Sequence, residues 1–137
     1  MGSRNIETVE AAIELFNRAE TDEVFDRFAA EDVAWDYTRT VAPDGGGVYE
    51  GIDAAKRFAR QLFVEPWEKV EFIADELVEV GEDRVVVSSH TRNVGRDGIE
   101  VVARGALLVE FRDDGKFTAL RLFQSEEEAL EFARADR

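Results

Sequence analysis

The chain has 137 residues, of which 45% are apolar and 35% are charged, as is typical of one soluble globular domain. Its 31 acidic and 17 basic residues give a formal net charge of -14, and such a surface disfavours nucleic acid and anionic membranes as partners. With no cysteine and one histidine, the sequence excludes disulfides and offers too few of the usual ligands for a metal site.

Three helices are predicted before residue 64. Apolar residues recur at three- and four-residue steps from Asn5 to Ala19, which predicts an amphipathic helix. A second, shorter helix is expected from about Thr21 to about Asp32, and a third over 52–63. No apolar run typical of a signal peptide precedes the first helix, so a cytoplasmic location is expected.

The strands are predicted from alternation with a period of two. The segment DVAWDYT (32–38) alternates in this way and predicts a short half-buried strand, followed by a glycine-rich loop over 42–47. Four longer alternating runs, separated by GED, GRDG and DDG, indicate antiparallel hairpins. These runs lie at roughly 68–80, 84–94, 99–112 and 117–124.

The end of the chain predicts a fourth helix. Ser125 and Glu128 have the spacing of a capping box, which favours a short C-terminal helix. The order of elements predicts an α+β fold in which helices pack on one face of an antiparallel sheet. Residues 1–137 are expected to form a single domain.

Five segments, by their order and spacing, resemble the nuclear transport factor 2-like superfamily, and within it the SnoaL-like group of polyketide cyclases, steroid isomerases and dehydratases. The segments are FAAEDVAWD, VYEGIDAAKRF, VEVGEDRVVV, GALLVEFRDDGKF and LRLFQS. The resemblance covers roughly residues 5–133. It implies a cone-shaped fold, in which three N-terminal helices and a strongly bent sheet enclose a mostly apolar cavity, but such a fold does not name a reaction.

Alternation also sorts the strand residues between two faces. Burying Arg92 or Arg121 unpaired would cost several kcal/mol, so their faces, one of which includes His90, are predicted to point away from the cavity. The predicted lining is typical of a site for a small, largely hydrophobic molecule, although a filled core is an alternative interpretation. It consists of Ile13, Phe16, Trp35, Tyr37, Phe58, Val87, Ser89, Thr91, Leu107, Leu122 and Gln124.

Tyr37, Asp36 and His90 are the candidate catalytic residues. Tyr37 lies where the resemblance to steroid isomerases implies a catalytic aspartate, and its phenol could donate to a substrate oxygen. Asp36 has the opposite parity and would reach the cavity only if the end of the strand twists. His90 would reach it only if a β-bulge reverses its parity.

Two functions stay open on the sequence alone. The chain is either a cofactor-independent isomerase, cyclase, dehydratase or hydrolase, or a non-catalytic ligand-binding or dimeric interaction domain; no cofactor is expected in either case. Apolar residues on the outer face predict a homodimer through that face, because they form a larger patch than a monomer usually exposes. They are Val86, Val102, Ala106, Leu108, Phe117 and Phe123.

Overall fold

The computed structural model describes residues 3–38 and 47–135. In chain order the elements are α1 (Ser3–Asn17), α2 (Thr21–Phe28), β1 (Ala29–Asp36), β2 (Val48–Glu50), α3 (Ile52–Ala59), a π-helical turn (Arg60–Val64), β3 (Trp67–Val80), β4 (Arg84–Gly95), β5 (Glu100–Phe111), β6 (Phe117–Phe123) and α4 (Glu126–Ala135). The cone-shaped α+β fold predicted from the sequence is confirmed. Most of the predicted glycine-rich loop lies outside the described residues. Within these two ranges, no helix is long and apolar enough to cross a membrane.

In the described part of the chain, six strands form one sheet in the order β2-β1-β6-β5-β4-β3. Strands β3 to β6 pair antiparallel, as predicted. Strand β1 pairs parallel with β6, so the prediction of a wholly antiparallel sheet was wrong at this pair. Alternation indicates a strand but not its direction, and no hairpin turn joins β1 to β6. Strand β2 was not predicted because three residues are too few to show a period.

The two faces of the sheet carry separate cores. The inner face, with Val87 and Leu120, packs against α1, α2 and α3, whereas the outer face, with Leu108 and Phe123, is covered by α4. Phe117 belongs to the inner core, contrary to the prediction that it lies on the outer face. A register shift between β5 and β6 beside it reverses the alternation on which that prediction rested.

Helix α3 ends in the π-helical turn, where the N–H of Glu65 donates to the carbonyl of Arg60 at 2.9 Å. A π-turn contains more residues than an α-turn and therefore shifts the helical phase. Leu62 and Phe63 consequently both pack against the inner core, although they are adjacent in sequence.

At Phe72, the outer edge of β3 pairs with a side chain rather than with another strand. The Asn17 side-chain amide donates to the Phe72 carbonyl at 2.9 Å, and its Oδ1 accepts from the Phe72 N–H at 2.7 Å. These are the two backbone groups that a neighbouring strand would otherwise pair with. Helix α1 therefore fixes both the position of β3 and the end of the sheet.

Candidate functional site

Aromatic side chains form a connected cluster between the helices and the inner face of the sheet. Trp35 lies at its centre, and its ring contacts four other rings at centroid distances between 5.4 and 6.2 Å. The aromatic cluster consists of Phe16, Phe25, Trp35, Tyr37, Tyr49, Phe58, Phe63 and Phe72. Offset and edge-to-face rings of this kind provide a large apolar surface with a defined geometry.

Two polar residues of the aromatic cluster, Trp35 and Tyr37, are buried. Tyr37 is 6% exposed, and burial raises the pKa of its phenol well above the usual value, so the phenol stays protonated at neutral pH. A hydrogen-bonding interaction between the Trp35 indole and the Tyr37 phenol opposes this rise in pKa in part. The indole Nε1 is itself buried, and apart from this weak contact with Tyr37 no described residue accepts a hydrogen bond of good geometry from it.

A row of small residues continues the inner face beside the aromatic cluster. Ser89 pairs with Gly105, and Thr91 pairs with Ala103. These four residues are partly or largely exposed, because short side chains fill less of the space above the strands. The small hydroxyls of Ser89 and Thr91 are the polar groups that this part of the face offers.

The predicted lining residues mostly share this inner face. Those that pack with the inner core are Ile13, Phe16, Trp35, Tyr37, Phe58, Val87, Leu107 and Leu122. Gln124 does not join them: β6 ends at Phe123, and Gln124 is exposed beyond it. The alternation that predicted its inward position stops one residue short.

Asp36 lies on the opposite face from Tyr37 and takes part in a buried ion pair. Its Oδ2 accepts from Arg121 Nη1 at 2.9 Å, and its Oδ1 accepts from the backbone N–H and the hydroxyl of Thr38 at 2.9 and 2.5 Å. Arg121 also donates from Nε to Glu110 Oε2 at 3.1 Å. The strand end does not twist Asp36 inward, so the structure does not bring this carboxylate to the Tyr37 phenol.

His90 also lies on the outer face, as the sequence predicted. It pairs across the sheet with Ile73 and Arg104, and its Nδ1 lies 2.8 Å from Asp75 Oδ2. Asp75 sits at a register shift in β3. The structure therefore unites His90 with a carboxylate, but on the side of the sheet away from Tyr37.

Sequence reasoning missed some members of the aromatic cluster. Phe63 enters it through the π-helical turn, and Tyr49 through the short strand β2, where its ring stacks on Phe58 at 4.0 Å. Neither element has a pattern readable in the sequence. Phe72 could have been found, because it lies directly opposite Thr91 on the inner face. Among the described residues, no group of three or more histidines and acids is placed to hold a metal ion.

The family model of the SnoaL-like domain matches residues 9–120 of the chain. No curated protein matches it significantly.

Solved structures with the same fold are numerous. A nuclear transport factor 2-like protein of unknown function from Burkholderia pseudomallei is 25% identical, with a TM-score of 0.76 and coverage of 94% of this chain and 96% of that one. TerC, co-crystallised with polyporic acid, is 22% identical over 96% and 99% of the two chains, also with a TM-score of 0.76. Delta 5-3-ketosteroid isomerase from Mycobacterium sp. is 16% identical over 88% and 92%, with a TM-score of 0.72. These similarities show the fold.

Proposed function

The chain belongs to the SnoaL-like domain family, and from this membership and its aromatic interior we propose that it binds a small, largely hydrophobic molecule inside the cone without catalysing a reaction on it. The observation that carries the proposal is the buried Trp35 N–H, which makes no hydrogen bond of good geometry within the described residues and has only a weak interaction with the Tyr37 phenol. A buried donor left unsatisfied costs about 1–3 kcal/mol. A ligand whose carbonyl or hydroxyl oxygen displaces the side chains that now cover Nε1 would relieve that cost.

The surroundings of Trp35 define the chemistry of the ligand. Phe58 and Phe63 present ring faces and edges to it, which favours a molecule with flat apolar rings. The protonated Tyr37 phenol is a second hydrogen-bonding group within the same cluster. Ser89 and Thr91 supply further hydroxyls on the same face of the sheet. Few polar groups in an apolar surround are typical of sites for small hydrophobic ligands.

Binding without catalysis is favoured because the expected acid/base groups are engaged elsewhere. A general base must lie within hydrogen-bonding reach of the proton it removes. Asp36 is held by Arg121 and Thr38, and His90 contacts Asp75 on the opposite face. The buried Tyr37 phenol, with its raised pKa, is a poor base at neutral pH.

Replacing Trp35 with phenylalanine should weaken ligand binding by about two- to tenfold, the equivalent of one hydrogen bond of about 0.5–1.5 kcal/mol. Polyporic acid and a 3-ketosteroid are suitable probes because similar structures are named with them. Isothermal titration calorimetry measures the dissociation constants. Phe132→Leu is the control, since Phe132 packs with the outer core under α4, and its affinity should equal that of the wild type.

Three outcomes would contradict the proposal. If the wild type binds neither probe, and does not bind the apolar dye anilinonaphthalene sulfonate, the core is filled by side chains. If Trp35→Phe and the wild type bind the probes with equal affinity, the Trp35 N–H does not contact the ligand. Conversion of a bound probe to product, lost in Tyr37→Phe, would favour the enzyme alternative.

The homodimer remains a prediction. Helix α4 covers part of the outer face of the sheet, so only the uncovered part of that face is available to a second copy. Val86, Ala106 and Leu108 are buried beside α4, whereas Val102 is 49% exposed on the uncovered part of the outer face. Two copies meeting there should sediment as a dimer at micromolar concentration, and Val102→Glu should restore the monomer. Val48→Glu, equally exposed on β2, is the control. A monomeric wild type would exclude the dimer.

A further inference from the structure

A cleft of about 410 Å³ lies where the start of β3 meets the turn between β4 and β5. Its lining includes Trp67, Gly95, Arg96, Asp97, Ile99 and Val101. None of these residues belongs to the aromatic cluster around Trp35. A volume of this order suffices for a small organic molecule.

One side of the cleft is apolar and open. Ile99 is 63% exposed and Val101 is 43% exposed, which is unusual for large aliphatic side chains placed side by side. Trp67 is half-buried, and its Nε1 donates to the Leu62 carbonyl at 3.2 Å. Because this bond fixes the indole, Trp67 offers a ring of defined orientation against which a flat ligand can pack.

Arg96 supplies a cation at the same cleft. Its Nη2 donates to the Glu65 carbonyl at 3.0 Å, which positions the guanidinium and still leaves several N–H donors on it. The neighbouring Asp97 is used by the turn, since its Oδ1 accepts from the Ile99 N–H at 3.1 Å. It also lies only 2.8 Å from where a Cβ on Gly95 would stand, so the turn folds this carboxylate over Gly95.

Asn93 places a buried acceptor next to the cleft. It is 9% exposed, and its Oδ1 has no hydrogen-bond partner among the residues that the structure describes. Asn93 lies directly opposite Val101 in the sheet and shares a face of β4 with Gly95, and both of these neighbours line the cleft. A buried amide oxygen in this position calls for a donor.

We propose that this cleft is a binding site for a flat aromatic carboxylic acid that also carries an N–H or O–H donor. The ring packs against Trp67 and the exposed aliphatic side chains. The carboxylate pairs with Arg96, whose planar guanidinium matches a carboxylate. The donor satisfies Asn93 Oδ1 after the ligand displaces the side chains that now cover this oxygen. Asn93 and Val101 continue the inner face two residues beyond Thr91 and Ala103, but the lining of the cleft includes no residue of the aromatic cluster, and the proposal does not depend on the function proposed for the cone.

Three related probes separate the contributions of charge and donor. Indole-3-carboxylate carries both, 1-methylindole-3-carboxylate lacks the N–H, and indole-3-carboxamide lacks the charge. Calorimetric titration of the full chain should show the first binding best, and each of the other two weaker by about fivefold or more. Arg96→Gln should reduce the affinity for indole-3-carboxylate to that for the carboxamide. Arg104→Gln removes an exposed arginine from the outer face of β5 and should change nothing.

Asn93→Val tests the acceptor directly. The variant should bind the N–H and N-methyl probes equally, while its melting temperature should not fall, because valine suits a buried strand position and removes an unpaired oxygen. Continued preference for the N–H probe would overturn the role of Asn93. Three results would overturn the proposed site. They are equal binding of all three probes by the wild type, equal effects of Arg96→Gln and Arg104→Gln on binding, and no binding of any probe. Trp35→Phe should leave binding of indole-3-carboxylate unchanged. A failure of the cleft proposal can therefore be told apart from a failure of the binding proposed for the cone.

Discussion

Replacing Arg121 with methionine should lower the free energy of unfolding by about 3–5 kcal/mol. Asp36 is only 3% exposed, and Arg121 provides the guanidinium that compensates its charge at 2.9 Å. The same guanidinium contacts Glu110 at 3.1 Å and lies over the Phe132 ring of α4. Methionine keeps most of the aliphatic volume but leaves Asp36 without its arginine and leaves Glu110 with the more distant Arg84, whose Nε lies 3.9 Å away. Guanidinium or urea denaturation with linear extrapolation measures the loss.

Two further variants show whether charge causes the loss. In the double variant Asp36→Asn with Arg121→Met, a large part of the stability should return, because a neutral amide needs no countercharge. Arg112→Met removes an arginine from an exposed pair with Asp114, whose side chains are 50% and 51% exposed, and should cost less than about 1 kcal/mol. A loss for Arg121→Met as small as that of the exposed pair would refute a structural role for the buried one.

Replacing Leu108 with alanine should lower the free energy of unfolding by about 2–5 kcal/mol. Leu108 is 0% exposed and packs between the sheet and Ala129 and Ala133 of α4. The face of α4 that packs on Leu108 carries alanines, whose short side chains cannot reorient to fill the cavity. The cavity would close only if the whole helix shifted, so we expect a loss in the upper part of this range. Amide hydrogen exchange should also become faster throughout α4.

Val48 provides the control for Leu108, because it is also an aliphatic strand residue but is 49% exposed and lies outside the proposed dimer surface. Val48→Ala should change stability by less than about 0.5 kcal/mol and leave the exchange of α4 unaltered. Similar losses in the two variants would mean that α4 does not bury this part of the sheet in solution.

The long elements were predictable because each repeats a strong local pattern. Strands β3 to β6 were placed within a few residues, since alternation and glycine-containing turns define both the strands and their neighbours. The parallel pairing of β1 with β6 was not predictable, because it joins segments far apart in sequence without a turn signal. The π-helical turn after α3 was also missed, since its residues continue the helical pattern.

The sequence predicted which face of the sheet each candidate residue lies on, but not which side chains contact one another. Alternation placed Trp35 and Tyr37 on the inner face correctly, because parity is a local property of a strand. The contact between Asp36 and Arg121 depends on the register of two distant strands, which no local pattern contains. The contact between His90 and Asp75 depends on an extra residue in β3, and such a bulge leaves no mark in the composition.

Through the side-chain amide of Asn17, helix α1 also protects part of the edge of the sheet. Strand β3 is 14 residues long and ends the sheet, and an uncovered edge of that length is a template on which another chain can assemble. Asn17 blocks it at Phe72 only while α1 is docked. We therefore expect undocking of α1 to expose this edge at Phe72, and the resistance of the protein to forming fibrils should follow the local stability of its first helix rather than that of the sheet.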